Sequence, residues 1–194
     1  MRQFGYKVGD AAKLLASQTK RSADFEARRI RSFSQHRIIP NTYYGEGNIK
    51  TAYLDKVGIC VCRIFGVLAD LGYDIHALKA ASDHLRKPLL GYVVPDKITD
   101  ATQLGRALEA IRAEEEVNFR LTRYYNPHTG EQSFGGYCSI VSEDGDHHRD
   151  SANSIVADGQ AAAGKTVQAE VKIPLLTLLY PILVALDERE AEMN

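Results

Sequence analysis

Cysteine is scarce in this chain of 194 residues: there are three, an odd number, with two of them nearly adjacent at Cys60 and Cys62. Such a set builds no disulfide framework and points to a reducing, cytoplasmic setting. Long apolar runs are missing as well. The longest, residues 173–186, is 14 residues interrupted by Pro174 and Pro181, whereas a membrane-spanning helix needs about 20. The first eight residues are polar and aromatic with no apolar stretch, so no secretory leader is expected. No internal repeat is visible. With 44% hydrophobic and 25% charged residues, the composition is that of an average soluble globular protein, which sets aside collagen-like and wholly disordered chains. The length suits one mid-sized domain or two small ones.

Catalytic and ligand-binding patterns are equally thin. No Ser-His-Asp or Cys-His spacing can be argued, so an enzyme is the weakest class and no cofactor is expected. GQAAAGKT, residues 159–166, fits the phosphate-loop pattern G-x-x-x-x-G-K-[ST]. A working phosphate loop opens a helix whose N–H groups face the phosphates, but TVQAEVKIP alternates like a strand. EDGDHHRD, residues 143–150, brings His147 and His148 close to Asp144, Asp146 and Asp150, yet it lacks the alternation and closing Glu of a calcium loop. A solvated loop is expected there. Cys60 and Cys62 stand i, i+2 on a helix and face apart, so one core cysteine is expected and no metal site.

What the chain does have is lopsided charge. The net charge of -1 conceals a basic first part and an acidic second part. Residues 1–87 hold 15 Lys and Arg against 8 Asp and Glu, a net +7; the remainder holds 9 against 17, a net -8. Asymmetry of this kind suggests an N-terminal part that meets a polyanion and a C-terminal part that does not.

Periodicity supplies the elements. Val8, Ala11, Ala12 and Leu15 recur at i, i+3, i+4, i+7 and predict a short helix over 8–16. After the polar SQTKR, Ser22 is a candidate N-cap for a basic helix over 22–35 that carries Phe25, Ala27, Ile30 and Phe33 for packing. NTYYGEGNIKT, residues 41–51, reads as two short strands around a glycine turn. Helices are expected over 52–69, stopped by Gly72, and over 73–85. Pro88 and the proline- and glycine-bearing stretch to 97 mark a domain boundary, dividing the chain into 1–87 and 98–194. The second part reads as a helix over 100–117, a hairpin of 118–125 and 132–141 about the turn NPHTG, a loop over 142–165, and a strand over 167–173. In that strand Val167, Ala169, Val171 and Ile173 are expected to face inward. A closing helix begins at Pro174 and runs to about 190. The fold class expected is α+β.

In this order, several pieces resemble the winged-helix DNA-binding domain of the MerR family of bacterial regulators, over about residues 5–85. YKVGDAAKLL resembles the family's first helix. RIRSFSQHRIIP, residues 29–40, resembles its recognition segment T-L-R-Y-Y-E-x-x-G-L-L-P, with Ile30 at the core leucine, Arg31 at the family arginine, Phe33 at the second aromatic, Ser32 replacing the first and Arg37 standing at the glycine. GEGNIK resembles the wing, and LGYDIHAL the stretch after it. The resemblance implies a winged helix-turn-helix that binds double-stranded DNA, a transcriptional repressor or activator acting as a homodimer near the nucleoid.

The residues argue the same chemistry unaided. An arginine-bearing helix can enter the major groove, about 12 Å wide, where Arg bonds guanine O6 and N7 together. Lys20 and Arg21 just before the helix and Arg28, Arg29, Arg31 and Ser32 on it are candidate contacts, and Asn48 and Lys50 those from the wing. The apolar closing segment suggests that Leu176, Leu179, Ile182 and Leu183 are shared between core and a partner copy. An excision or architectural factor of a phage or mobile element is the alternative within DNA binding; a protein-interaction module without a DNA role is the alternative outside it.

Overall fold

A computed structural model of the chain describes residues 5–39, 42–44, 51–86, 102–141, 147–148 and 163–193, with 42–44 and 147–148 described as backbone only. Among these residues are six helices and seven strands in two antiparallel sheets, an α+β architecture. The chain divides into two compact units, residues 1–79 with 177–194, and residues 80–176. The closing helix therefore belongs with the N-terminal unit, where the sequence placed it in the second domain. The expected linker at 88–97 lies outside the described residues, as do most of 142–165.

The first unit opens with β1 (Tyr6–Lys7), followed by α1 (Val8–Ser17) and α2 (Ala23–Gln35). Ser22 caps α2 as its spacing predicts: its hydroxyl accepts the Phe25 N–H at 3.2 Å, a contact worth about 1 kcal/mol. The two helices bury complementary faces, Ala11, Ala12, Leu14 and Leu15 on α1 and Ala27, Ile30 and Phe33 on α2. Next come β2 (Thr42–Tyr44) and β3 (Thr51–Leu54), which pair antiparallel, with β1 on the other edge of β3. The helix expected from residue 52 instead starts after this strand. α3 (Lys56–Asp70) begins where Asp55 Oδ1 accepts the Gly58 N–H at 2.6 Å.

α3 is the centre of this unit. Ile59, Cys60, Val61, Cys62, Ile64, Phe65 and Leu68 are all buried, more than one helical face. Phe65 meets Phe33 of α2 edge to face at 6.2 Å. Both Cys60 and Cys62 are core residues, contrary to the expected single one, because neighbours enclose α3 on more than one side; burial pushes the Cys62 thiol pKa up.

α4 (Ile75–Leu85) follows α3 after a short turn. α6 (Leu175–Met193) completes the first unit with its residues from 177 onward and contains Pro181 within the helix. The Tyr6 hydroxyl donates to the Leu186 carbonyl at 3.3 Å, and Lys56 reaches Asp187 at 2.5 Å and Glu190 at 2.7 Å. Leu179, Ile182 and Leu183 are at most 2% exposed. They are core, where the sequence reading shares them between core and a partner copy; apolar positions that look surplus on a lone helix are buried in the folded chain. Leu176 is half-buried.

In the second unit, α5 (Gln103–Arg112) is capped by Thr102, later than the expected Thr99 or Asp100. It precedes β4 (Glu116–Tyr125) and β5 (Gln132–Val141), which form a ten-residue antiparallel ladder. Asn126 makes the turn by accepting the His128 and Thr129 N–H groups, an Asx turn of the kind its sequence announces. β6 (His147–His148) and β7 (Thr166–Pro174) complete a sheet of order β6-β5-β4-β7. Val117, Phe119 and Leu121 of β4 and Leu104, Leu108 and Ile111 of α5 supply its core. On β7 only Ile173 is buried, while Val167 is 63% exposed. Alternation fixed the strand but not its cover, since an edge strand can run past the helix that shields the sheet. Pro174 is the last residue of β7, not the first of the helix.

Candidate nucleic-acid interface

α2 is anchored to α3 by charge as well as by apolar contact. The Arg29 side chain, 11% exposed, crosses to α3 and donates to Asp70 Oδ1 at 2.6 Å, with Glu26 at 3.8 Å. Its guanidinium lies so close to Gly66 that a Cβ there would come within 2.8 Å of it. Gly66 and Asp70 are one turn apart and share a face of α3, so a glycine opens the space and an aspartate closes the pair. Arg21, in the turn between α1 and α2, joins the same Asp70 carboxylate at 2.8 Å, and both arginines sit over the Phe25 ring, at 4.6 Å and 4.7 Å.

Glu26 lies beneath this cluster, 3% exposed, accepting a hydrogen bond from Thr19 at 3.2 Å. The Arg63 guanidinium of α3 is also nearby: desolvation lowers its pKa, while the charges of Glu26 and Asp70 pull the other way. A cluster of this kind fixes how α2 is presented and leaves Arg21 and Arg29 engaged within the protein. Arg21 keeps an exposed side chain beside its ion pair, whereas Arg29 is 11% exposed and turned inward. The reason is geometric: residue 29 falls on the flank of α2 that turns toward α3.

The outward flank is different. Asp24, Arg28, Arg31 and Gln35 are all exposed and recur at i, i+4, i+7, i+11, a single stripe about 16 Å long at 1.5 Å per residue. Ser32 is half-buried beside it, and Lys20 is exposed in the preceding turn. Asn48 and Lys50 lie outside the described residues. Of the eight residues singled out from sequence, then, Arg28 and Arg31 stand together on one solvent-facing surface. No protein-family model matches the chain, and no curated protein matches it.

The geometry of this surface includes a residue the sequence did not put in the candidate set. α2 ends in a Schellman turn: the Ile38 N–H donates to the Phe33 carbonyl at 2.9 Å and the Arg37 N–H to the Ser34 carbonyl at 3.0 Å. Arg37 occupies the left-handed position of this turn, at φ 56, and is exposed. This is the position at which the MerR pattern carries glycine. α3 closes by the same pair of bonds with Gly72 at φ 85, and α5 with Glu114 at φ 60. The signals available in the sequence were the apolar Ile38 and Ile39 after a polar helix end, and the interior Gly66 one turn before Asp70.

Of the two competing motifs, EDGDHHRD lies outside the described residues except for the backbone of His147 and His148, and GQAAAGKT is described only from residue 163. Gly164, at φ 70, and Lys165 lead straight into β7, and Lys165 bonds Glu131 and Ser133 at 3.2 Å each. The described part of GQAAAGKT thus opens no helix. Among the described residues, no three His, Cys, Asp or Glu side chains come together to hold a metal ion, and no helix is long and apolar enough to cross a membrane.

Proposed function

We propose that this protein is a sequence-specific double-stranded-DNA-binding transcription regulator, with α1 and α2 as the helix-turn-helix of a MerR-like winged module and α2 as the recognition helix. One observation carries the reading: α2 is fixed from behind by Arg29, Glu26 and Asp70, while Arg28 and Arg31 project from its opposite flank. An arginine on a rigid helix loses less freedom on meeting a base than one on a mobile arm. The glycine-like conformation at Arg37 supports the alignment with the family's recognition segment in its expected register. In this reading β2 and β3 form the wing, and Asn48 and Lys50 of the segment between them contact the DNA backbone.

Selection of bound sites from a random duplex pool tests this directly. The full chain should enrich a defined motif, and Arg28→Ala or Arg31→Ala should relax it at particular base pairs, each costing about 1 to 3 kcal/mol. A pool that stays random after repeated selection would remove the sequence-specific reading. Mapping occupied genomic sites then separates a promoter regulator from an excision factor.

A further inference from the structure

We propose that Arg37 is a phosphate contact that seats the C-terminal end of α2 on the DNA backbone. The inference rests on the DNA-binding reading of α2 and extends it to a residue that neither the basic helix nor the wing includes. Its backbone is the first observation. A left-handed φ is costly for any residue with a Cβ; the same turn is closed by Gly72 at the end of α3 and by another charged residue, Glu114, at the end of α5. Placing a long cationic side chain here gives up that ease.

The second observation is electrostatic. The last turn of α2 contains no basic residue, and the C-terminal end of a helix carries partial negative charge. Brought against a polyanion, that end is repelled unless a cation stands just beyond it. Arg37 is exposed two residues past Gln35, the last of the outward stripe, with His36 beside it.

The third is distance. Arg28 to Gln35, the last residue of α2, is seven residues, about 10 Å at 1.5 Å per residue, and Arg37 lies just beyond that end. The major groove is about 12 Å wide. With Arg28 and Arg31 over the base edges, a long side chain beyond the end of α2 meets the phosphates of the rim and not the bases. Arg37 would thus add affinity without adding base preference.

The experiment compares full-length wild type, Arg37→Gly and Arg37→Lys on a random-sequence duplex and on a selected one, by fluorescence anisotropy across a salt titration, with thermal melting of each protein. Arg37→Gly should melt at a higher temperature, since glycine suits the turn, yet bind both duplexes about tenfold more weakly near 0.1 M salt, with its salt slope shallower by about 0.9. Arg37→Lys should keep the slope. A purely structural residue would not weaken binding while raising stability. Wild-type binding with an unchanged affinity and slope in Arg37→Gly overturns this inference and leaves the DNA reading standing; absence of binding by the wild type to either duplex overturns both.

Discussion

Replacing Arg29 and replacing its neighbour Arg28 should have opposite consequences, although the two are indistinguishable in composition. Arg29→Ala removes a guanidinium that is 11% exposed, 2.6 Å from Asp70 and 3.8 Å from Glu26. It leaves Glu26, 3% exposed, with the Thr19 hydroxyl at 3.2 Å and Arg63 at longer range. Breaking a buried pair costs about 3 to 5 kcal/mol. Asp70 keeps Arg21 at 2.8 Å and is 35% exposed, which argues for the lower end, about 3 kcal/mol by the same measure. In a unit of this size that lowers the melting temperature by about 12 to 24 °C. Arg28 is exposed, so Arg28→Ala should change stability by no more than about 0.5 kcal/mol. Urea and thermal denaturation followed by circular dichroism give the stability, and anisotropy on a selected duplex gives the binding. An Arg29→Ala protein that melts like wild type while losing DNA as Arg28→Ala does would refute the division of these arginines into anchor and contact.

Three further outcomes follow from the packing. Tyr6 and Lys56 both hold α6. Burial raises the Tyr6 pKa; at Lys56 burial works downward, but the hydrogen bonds to Asp187 and Glu190 outweigh it and raise the pKa above its usual 10.5. Groups that bind protons more tightly when folded contribute stability that is intact below their unfolded pKa and is lost as pH rises through the folded one. The attachment of α6 should therefore hold through neutral pH and fail above about pH 10, and Lys56→Met should reduce the steepness of that loss in alkaline melting curves. Gly72→Ala, at φ 85, should destabilise by about 1 kcal/mol or more, measurable by urea midpoint; no change there would contradict the left-handed closure of α3. Cys60, Cys62 and Cys138 are buried and form no disulfide, so a thiol reagent should titrate none of them in the native protein and all three in denaturant.

Much of this fold is legible from local chemistry. The spacing of Val8, Ala11, Ala12 and Leu15 locates α1, and Ser22 marks the start of α2 because a hydroxyl before a helix has one job, to accept an orphan N–H. The β4–β5 hairpin follows from alternation on either side of NPHTG. The failures share a cause. Val167 and Ala169 alternate like inward residues but sit on an edge strand, and Leu179, Ile182 and Leu183 look surplus on a lone helix yet are buried in the folded chain. Both are matters of what covers a surface, which periodicity does not encode. At the candidate interface the basic helix was visible, but which arginines face outward depends on rotation about α2. Arg28 and Arg29 are adjacent in sequence and about 100° apart around the axis. Asp70, 41 residues away, decides which one is engaged.

The central claim, that the outward stripe of α2 meets duplex DNA, is tested most directly by the dependence of binding on salt. Equilibrium binding of the full chain to a selected duplex should weaken steeply as salt rises, and the double variant Arg28→Ala, Arg31→Ala should lose affinity for that duplex by more than tenfold while binding random duplex only a few times more weakly. Equal losses on the two duplexes would contradict a recognition helix at this register, and undetectable binding of the wild-type chain at low salt would contradict the account at its root.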